Sequence, residues 1–312
     1  MRLAVLLPIK KDWNEAPEWL AELKGLLART AGIDASVWLL DDGASSRPPS
    51  WHALDPGAAE LHVLELQGRQ GRNRAFAAAL GHLLFEREES FDAFLLLDAS
   101  RPRELRHLDP LFEAHFHRPG AAVFVPAGPR RIGPGRRARR LAARLLSGET
   151  LTQSPALLLP ANIAEALCHS SYGASHVESA IRRLGFESAW AVMPARSAEF
   201  DAIAAASVFR DRVFARVWRG SAALSLLSLA TAAACLLARL FGAGPAGMGA
   251  AAAALALAAV ALGMLSVFAI LLGIFSQSLN EAPRWTPALD SALLIRAVTR
   301  VRREPYAIPA AR

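Results

Sequence analysis

The chain has 312 residues, of which 53% are hydrophobic, and a formal net charge of +7. It is long enough for one large or two ordinary domains with a sizeable core, and its two cysteines, Cys168 and Cys235, exclude a disulfide framework. The basic excess comes from arginine and indicates a partner that bears phosphate: a nucleotide, an anionic lipid or a nucleic acid.

Five short apolar runs near the N-terminus, each bounded by polar or turn residues, predict β-strands. The first run is too short for a signal peptide and is followed by two lysines, so we interpret it as a strand. Longer segments between the runs, such as 18–27 and 75–85, have helical spacing. This alternation predicts an α/β domain over residues 1–200, with a mostly parallel sheet between helices. The five predicted strands are 3–7, 36–40, 61–66, 91–97 and 121–125.

Three polar clusters follow three of these strands: Asp41-Asp42-Gly43, Gly71-Arg72 and Asp98-Ala99-Ser100. Ligands of such sheets bind at the carboxyl ends of the strands, so we expect the clusters to meet in one cleft. Each cluster alone is equally typical of a turn or a helix cap, and the specific signal lies in their order and spacing.

An arginine-rich segment, 130–144, contains seven arginines together with Gly133, Pro134 and Gly135. It is suited to anionic headgroups or to a nucleotide diphosphate, and a solvated loop and helix is an equally good interpretation. Nucleic-acid binding is not predicted, because the basic residues lack interleaved aromatic side chains.

The segment 201–219 is predicted to be a juxtamembrane amphipathic helix, because apolar residues recur at helical spacing between four arginines. We expect it to lie in the membrane interface or to pack on the soluble domain. The apolar side chains are those of Val208, Phe209, Val213, Phe214, Val217 and Trp218.

Residues 220–276 carry one charge, Arg239, and predict a transmembrane hairpin with helices at about 220–241 and 248–275. A Gly- and Pro-containing loop at 241–248 returns the chain tightly. Small residues at four positions should let the helices approach closely: Ser221, Ser225, Gly249 and Gly263.

Arginines lie on both flanks of the hairpin, and they continue into a basic tail at 277–312. The excess of arginine predicts that both flanks are cytoplasmic, which makes the chain a multi-pass protein of the cytoplasmic membrane with its soluble domain and both termini inside. A homo-oligomer is left open.

Several of these residues resemble the motifs of the family-2 glycosyltransferases with the GT-A fold. Pro8 and the pair Asn14-Glu15 are similar to the first motif of that family, although a few extra residues separate them here. The sequence Leu-Leu-Asp-Asp-Gly-Ala-Ser at 39–45 resembles the family's Asp-Asp-Gly-Ser signature. Gly71-Arg72 with Ala75-Phe76 resembles its Gly-Lys helix start, and 95–100 stands in the place of its Asp-x-Asp motif.

The second half resembles a narrower branch, the polyprenyl-phosphate glycosyltransferases that are similar to dolichyl-phosphate-mannose synthase. Those enzymes follow the GT-A domain with amphipathic helices and, in many bacterial members, with a two-helix hairpin and a basic tail. Here Leu-Gly-Ile at 272–274 and Arg-Val-Arg-Arg-Glu-Pro-Tyr-Ala-Ile at 300–308 look like the branch's second-helix ending and tail. The resemblance covers nearly the whole chain and is weakest from about 147 to 175.

The resemblance implies an inverting transfer of a sugar from a nucleotide sugar to a polyprenyl phosphate at the cytoplasmic face, in the synthesis of cell-envelope polysaccharide. It implies a nucleotide-sugar site formed by Pro8, Glu15, Asp41, Asp42, Gly71, Arg72 and Arg130. It further implies that Asp98 binds Mg²⁺ or Mn²⁺ or the sugar and that Arg196 contacts the acceptor phosphate, so that both are catalytic.

Two motifs depart from the family pattern. Ser100 stands where the second aspartate of Asp-x-Asp is expected, and the segment 196–200 keeps only the arginine of an Arg-x-x-Gly-x-Ser motif. Glu104, or the arginines at 72, 130 and 131, offer alternative ways to supply the missing carboxylate or to balance the donor charge. The rival hypothesis is therefore a catalytically inactive GT-A-like membrane protein that binds lipid or scaffolds a glycosylation complex.

Overall fold

The computed structural model describes residues 1–9, 13–44, 54–55, 57, 59–87, 90–97, 108–125, 141, 144–145, 154–170, 172–191, 208–241, 248–281 and 291–301. The chain forms two compact units. The first comprises Met1–Gly133, Thr152–Val208 and Arg284–Arg312, and the second comprises Pro134–Leu151 and Phe209–Pro283.

An eight-stranded sheet with the order β7-β5-β6-β4-β1-β2-β3-β8 forms the centre of the first unit. Its central strands pair in parallel, whereas β6 runs antiparallel to β4 and β5, and β8 runs antiparallel to β3. The strands are β1 Arg2–Ile9, β2 Asp34–Asp41, β3 Glu60–Leu66, β4 Ala93–Leu97, β5 Ala122–Phe124, β6 Ala156–Pro160, β7 Ser188–Trp190 and β8 Ile295–Val301.

Helices cover both faces of this sheet, which is why its central strands are continuously apolar. The helices are α1 Ala16–Arg29, α2 Arg72–Gly81, α3 Asp109–His117, α4 Ala161–His169 and α5 Val177–Arg183, and a π-helical turn, His82–Glu86, follows α2. Side chains of α1 and α3 pack on the face that includes Leu3 and Val5, whereas α2, α4 and α5 pack on the face that includes Ala4 and Leu6. The predicted α/β class is confirmed, as are the five strands and two helices predicted for the first 125 residues.

The last strand of the sheet comes from a segment that the sequence analysis assigned to a basic tail. Ile295–Val301 pairs antiparallel with β3, in a register that places Arg300 opposite His62. The prediction of a separate tail at 277–312 is therefore wrong for these residues. Alternate side chains of β8 are exposed, and two of them are arginines, which gave the segment its basic, tail-like sequence.

The second unit contains two long helices, α6 Arg210–Leu240 and α7 Met248–Glu281. Both are long and apolar enough to span a membrane, and at 1.5 Å per residue α6 measures about 46 Å. The sequence analysis divided 201–219 from the first span, but α6 is continuous through residue 220. The predicted amphipathic segment and the first span are therefore parts of one continuous helix, and a position of its first turns in the membrane interface stays a prediction.

Small side chains line the contact between α6 and α7, as predicted. The hydroxyl oxygens of Ser221 and Ser266 lie 2.6 Å apart, and Ser225 donates to the carbonyl oxygen of Ala259 at 2.6 Å. A Cβ on Gly263 would stand 3.6 Å from the Ser225 hydroxyl, so the helices approach closely there. Leucines such as Leu226, Leu240 and Leu257 are largely exposed, which fits a hairpin surrounded by lipid.

Candidate active site at the carboxyl ends of the strands

Asp41 ends β2 and joins two loops through its carboxylate. One oxygen, Oδ2, accepts the indole N–H of Trp13 at 3.2 Å, and the other accepts the backbone N–H of Ala44 at 2.9 Å. Trp13 is buried in the short helical turn Trp13–Glu15 that follows β1. Asp41 therefore fixes the loop after β1 against the loop after β2.

Asp42 is almost fully buried and holds the turn that leads into α2. Its Oδ1 accepts the backbone N–H of Gln70 at 2.5 Å, and its Oδ2 accepts that of Gly71 at 2.9 Å. A carboxylate is stabilised here, because backbone N–H groups at a helix N-terminus carry partial positive charge. Asp42 thus acts as an internal anion at the start of α2.

Glycines at two positions allow these loops to meet. Gly43 has a φ of +72°, and a Cβ there would stand 3.3 Å from the backbone nitrogen of Arg69. Gly71 has a φ of +83°, and no atom of the described residues lies within 4 Å of where its Cβ would be. Among the described residues, none therefore covers the backbone at Gly71 on that side.

Two further described residues of the predicted nucleotide-sugar site, Pro8 and Glu15, occupy different environments. Pro8 is buried in β1, opposite Leu40 of β2, and contributes backbone shape instead of a binding group. Glu15 is exposed and caps the start of α1 without a side-chain hydrogen bond to the helix. Glu15 is therefore accessible to a ligand through its carboxylate, whereas Pro8 is not.

Arg72 has other partners than the donor phosphates predicted for it. Its side chain is 8% exposed and its Nη2 donates to Glu178 Oε1 at 3.3 Å and to the carbonyl oxygen of Ser154 at 2.9 Å. Its guanidinium also lies 5.4 Å from the centre of the Phe76 ring. The Nη2 group of Arg72 is therefore directed at Glu178 and Ser154, and a contact of Arg72 with donor phosphates stays a prediction.

Glu178 and His176 complete this buried group at the start of α5. Nδ1 of His176 accepts the backbone N–H of Ser179 at 3.2 Å, which caps the helix, and lies 3.4 Å from Glu178 Oε2. Burial by itself raises the pKa of Glu178, whereas the positive charge of Arg72 lowers it. Hydrogen bonds from the backbone N–H groups of Ser154 and of Glu178 itself lower it further, and the net pKa lies below its ordinary value. Glu178 is therefore ionised at neutral pH.

The sequence analysis did not single out Ser154, His176 or Glu178. They fall in or beside the stretch where the family resemblance is weakest, and their local pattern is that of an ordinary helix start. The contact between Arg72 and Glu178 spans 106 positions in sequence, so no local pattern signals it.

Three predicted site residues, Asp98, Arg130 and Arg196, lie outside the described residues, as does Ser100. Within the described part of the chain, no three His, Cys, Asp or Glu side chains form a group that could hold a metal ion. The described carboxylates at the end of β2 accept N–H groups, as shown above, so the described residues do not fit a divalent metal.

Neither a family model nor a curated protein matches the chain. Among solved structures, similar ones are GT-A-type glycosyltransferases, each at low identity. A mannosyltransferase from Pyrobaculum calidifontis, in complex with GDP-Man and Mn²⁺, is 17% identical over 89% of this chain and 79% of its own, with a TM-score of 0.41. Mannosyl-3-phosphoglycerate synthase from Rubrobacter xylanophilus is 16% identical over 70% of this chain and 74% of its own, with a TM-score of 0.41.

A third similar structure is glucosyl-3-phosphoglycerate synthase from M. tuberculosis, 16% identical over 68% of this chain and 78% of its own, with a TM-score of 0.41. At these TM-scores the similarities carry no argument about the activity of this chain. Its function has to be inferred from its own residues.

Proposed function

We propose that the chain is a membrane-bound inverting glycosyltransferase that moves a sugar from a nucleotide sugar to a polyprenyl phosphate at the cytoplasmic face. Two features of one sheet support the proposal. The Asp41-Asp42 and Gly71-Arg72 clusters lie together at the carboxyl ends of its strands. Its edge strand β8 follows the apolar hairpin in the sequence. The unit that would hold the nucleotide is thus assembled from segments on both sides of the apolar hairpin.

The connectivity supports placing both flanks of the hairpin on one side of the membrane. Strands β1 to β7 precede the hairpin and β8 follows it, yet all belong to one sheet. A domain assembled from both flanks requires both of them in the same compartment. The arginines on these flanks favour the cytoplasm.

The chemistry fits the groups available. A lipid phosphate is ionised near neutral pH, so its oxygen attacks the anomeric carbon of the sugar without a strong general base. The new C–O bond forms as the bond to the nucleoside diphosphate breaks, and the leaving diphosphate keeps the electron pair. Attack opposite the leaving group inverts the anomeric centre. The protein has mainly to position both phosphates and to stabilise the leaving charge.

We assign the roles of the described residues by their position in the sheet, and those of Asp98, Arg130 and Arg196 by the family resemblance. The loops held by Asp41 and Asp42 form the nucleoside site, with Glu15 at its accessible rim, and the backbone at Gly71 approaches the donor phosphates. Asp98 contacts the sugar, Arg130 the donor diphosphate and Arg196 the acceptor phosphate. A requirement for Mg²⁺ or Mn²⁺ stays a prediction that rests on Asp98.

A transfer assay tests the proposal. Membranes that contain the full chain are incubated with polyprenyl phosphate and a panel of labelled nucleotide sugars, and the labelled lipid is extracted and counted. We expect one donor to label the lipid and Asp98→Ala to reduce the labelling strongly. If no common donor labels the lipid, the enzyme hypothesis is wrong and the inactive scaffold is favoured.

A further inference from the structure

We propose that Arg72 and Glu178 are positioning residues, which hold the start of β6 against the carboxyl end of β4, where the sugar is transferred. The inference rests on the proposed function, because it explains how that site keeps its shape. Neither residue is required to touch the substrate.

The two side chains hold the backbone of Ser154 from both directions. The backbone N–H of Ser154 donates to Glu178 Oε1 at 3.1 Å, and its carbonyl oxygen accepts from Arg72 Nη2 at 2.9 Å. A neighbouring strand would satisfy the same two groups with its own backbone. The ion pair therefore replaces a strand partner at the point where β6 begins.

The hydroxyl of Ser154 fastens this point to β5. It accepts the backbone N–H of Val125 at 2.9 Å and lies 2.8 Å from the carbonyl oxygen of Val125. Val125 also donates to the carbonyl oxygen of Ala156 at 3.2 Å, which continues the pairing of β5 with β6. Ser154 is thus held by α2, α5 and the end of β5 together.

The start of β6, which Arg72 and Glu178 hold at Ser154, lies beside the end of β4. In the β4–β6 ladder, Ala156 is the partner of Leu97, the last residue of β4. Asp98, to which we assign the sugar contact, is the next residue in the sequence. A shift of the β6 start therefore moves the strand end from which Asp98 leaves.

The burial of the Arg72–Glu178 ion pair decides how its removal affects stability. Arg72 and Glu178 are 8% and 2% exposed, so both charges have lost most of their hydration. Replacing a buried ion pair by apolar residues of similar volume is often neutral or stabilising, whereas removing one partner is strongly destabilising. Apolar residues would fill the space, but they would leave the Ser154 N–H and carbonyl without these partners.

The test uses the double variant Arg72→Met/Glu178→Leu in the full chain, in detergent with polyprenyl phosphate and the active donor. We expect its melting temperature to lie below that of the wild type, because the Ser154 N–H and carbonyl lose these partners. It should still exceed that of Glu178→Ala, because the double variant removes both buried charges together, whereas Glu178→Ala leaves the charge of Arg72 buried without Glu178. We expect kcat for transfer to fall about 100-fold, since small displacements at a reacting centre cost this much, while KM for the donor changes less. The matched control removes an exposed ion pair of 2.7 Å, with Lys24→Met/Asp55→Leu, and should change neither quantity.

The assay is run well below the melting temperature of the double variant, so that the protein is folded. A purely structural role predicts that the folded double variant transfers sugar at the wild-type rate, and that result overturns the inference. As a second variant, Glu178→Gln keeps an oxygen for the Ser154 N–H and should retain more transfer than Glu178→Ala. Equal losses in these two variants would contradict the clamp. A wild-type chain without transfer removes the proposed function and this inference together, whereas an active wild type with an equally active double variant removes the inference alone.

Discussion

The adjacent aspartates Asp41 and Asp42 at the end of β2 form hydrogen bonds with two different loops. Asp41 binds the Trp13 indole after β1, and Asp42 binds the backbone N–H groups of Gln70 and Gly71 before α2. The Asp-Asp-Gly signature thus has a physical role even before a ligand is present. It brings three loops to one edge of the sheet, and no described residue covers the outer side of Gly71.

Asp42→Ala should lower the free energy of unfolding by about 0.5–2 kcal/mol, because the part-buried N–H groups of Gln70 and Gly71 at the start of α2 lose their acceptor. Urea midpoints measured in detergent check this value. Asp34→Ala is the control, since the Asp34 side chain is 82% exposed and its substitution should matter by less than about 0.5 kcal/mol. Equal midpoints for Asp42→Ala and the wild type would rule out the capping role.

His62 should make the soluble domain less stable in mild acid. Its ring stacks on Trp38 at 4.1 Å, and it faces Glu60 on its own strand, Arg87 after the π-helical turn and Arg300 on β8. Burial, followed by the charge of Arg87, lowers the pKa of His62 below 6.5, although Glu60 opposes this shift. The unfolded chain therefore binds the proton more readily, and stability that is present above pH 6.5 is lost as the pH falls towards the folded-state pKa.

The urea concentration at the unfolding midpoint of the wild type should consequently decrease when the pH is lowered from 7.5 to 5.5. His62→Phe keeps an aromatic ring against Trp38 but does not titrate, so its midpoint should change less over the same range. A variant with the full acid dependence of the wild type would show that other groups cause it.

At the scale of elements, the α6–α7 contact is defined by a pair of serines. With Cys168 and Cys235 replaced by alanine, Ser221→Cys/Ser266→Cys should form an intramolecular disulfide in membranes on mild oxidation, because the two hydroxyls lie 2.6 Å apart. Ala223→Cys/Ser266→Cys is the control, since Ala223 is exposed on α6. Gel mobility before and after reduction reports the cross-link, and equal cross-linking of both pairs would contradict the helix contact.

Strand β8 should be needed for the stability of the sheet. Deleting residues 291–312 uncovers the edge of β3, so we expect aggregation or a melting temperature lower by more than about 5 °C. Deleting only 302–312, which leaves β8 whole, should have little effect. If both truncated chains melt together with the wild type, the pairing of β8 with β3 does not stabilise the domain.

Local sequence patterns predicted the strands of the first 125 residues because each is a continuous apolar run between polar turns. The same reasoning missed β8, where exposed Arg296 and Arg300 alternate with half-buried residues, and its partner β3 is more than 200 residues away in sequence. Local patterns also predicted that Asp41, Asp42, Gly71 and Arg72 lie at one edge of the sheet, and the resemblance implied that Arg72 contacts a donor phosphate. No local pattern predicted the contact of Arg72 with buried Glu178, because Glu178 lies at a helix start that is distant in sequence.

At the scale of the whole molecule, the chain leaves the first unit after Val208 and re-enters it at Arg284. An apolar hairpin between two parts of one domain cannot have its ends on opposite sides of a membrane. If the hairpin spans a membrane as we propose, the proposed cleft and both flanks of the hairpin face the same compartment, and the flanking arginines favour the cytoplasm.

Transfer in sealed vesicles of defined orientation tests this account most directly. Inside-out and right-side-out vesicles that contain the full chain and polyprenyl phosphate receive a labelled nucleotide sugar, which does not cross the membrane. We predict labelled lipid only with inside-out vesicles, in which the cytoplasmic face is exposed. Labelling only of right-side-out vesicles would contradict the orientation, and no labelling in either preparation with any common donor would contradict the glycosyltransferase activity.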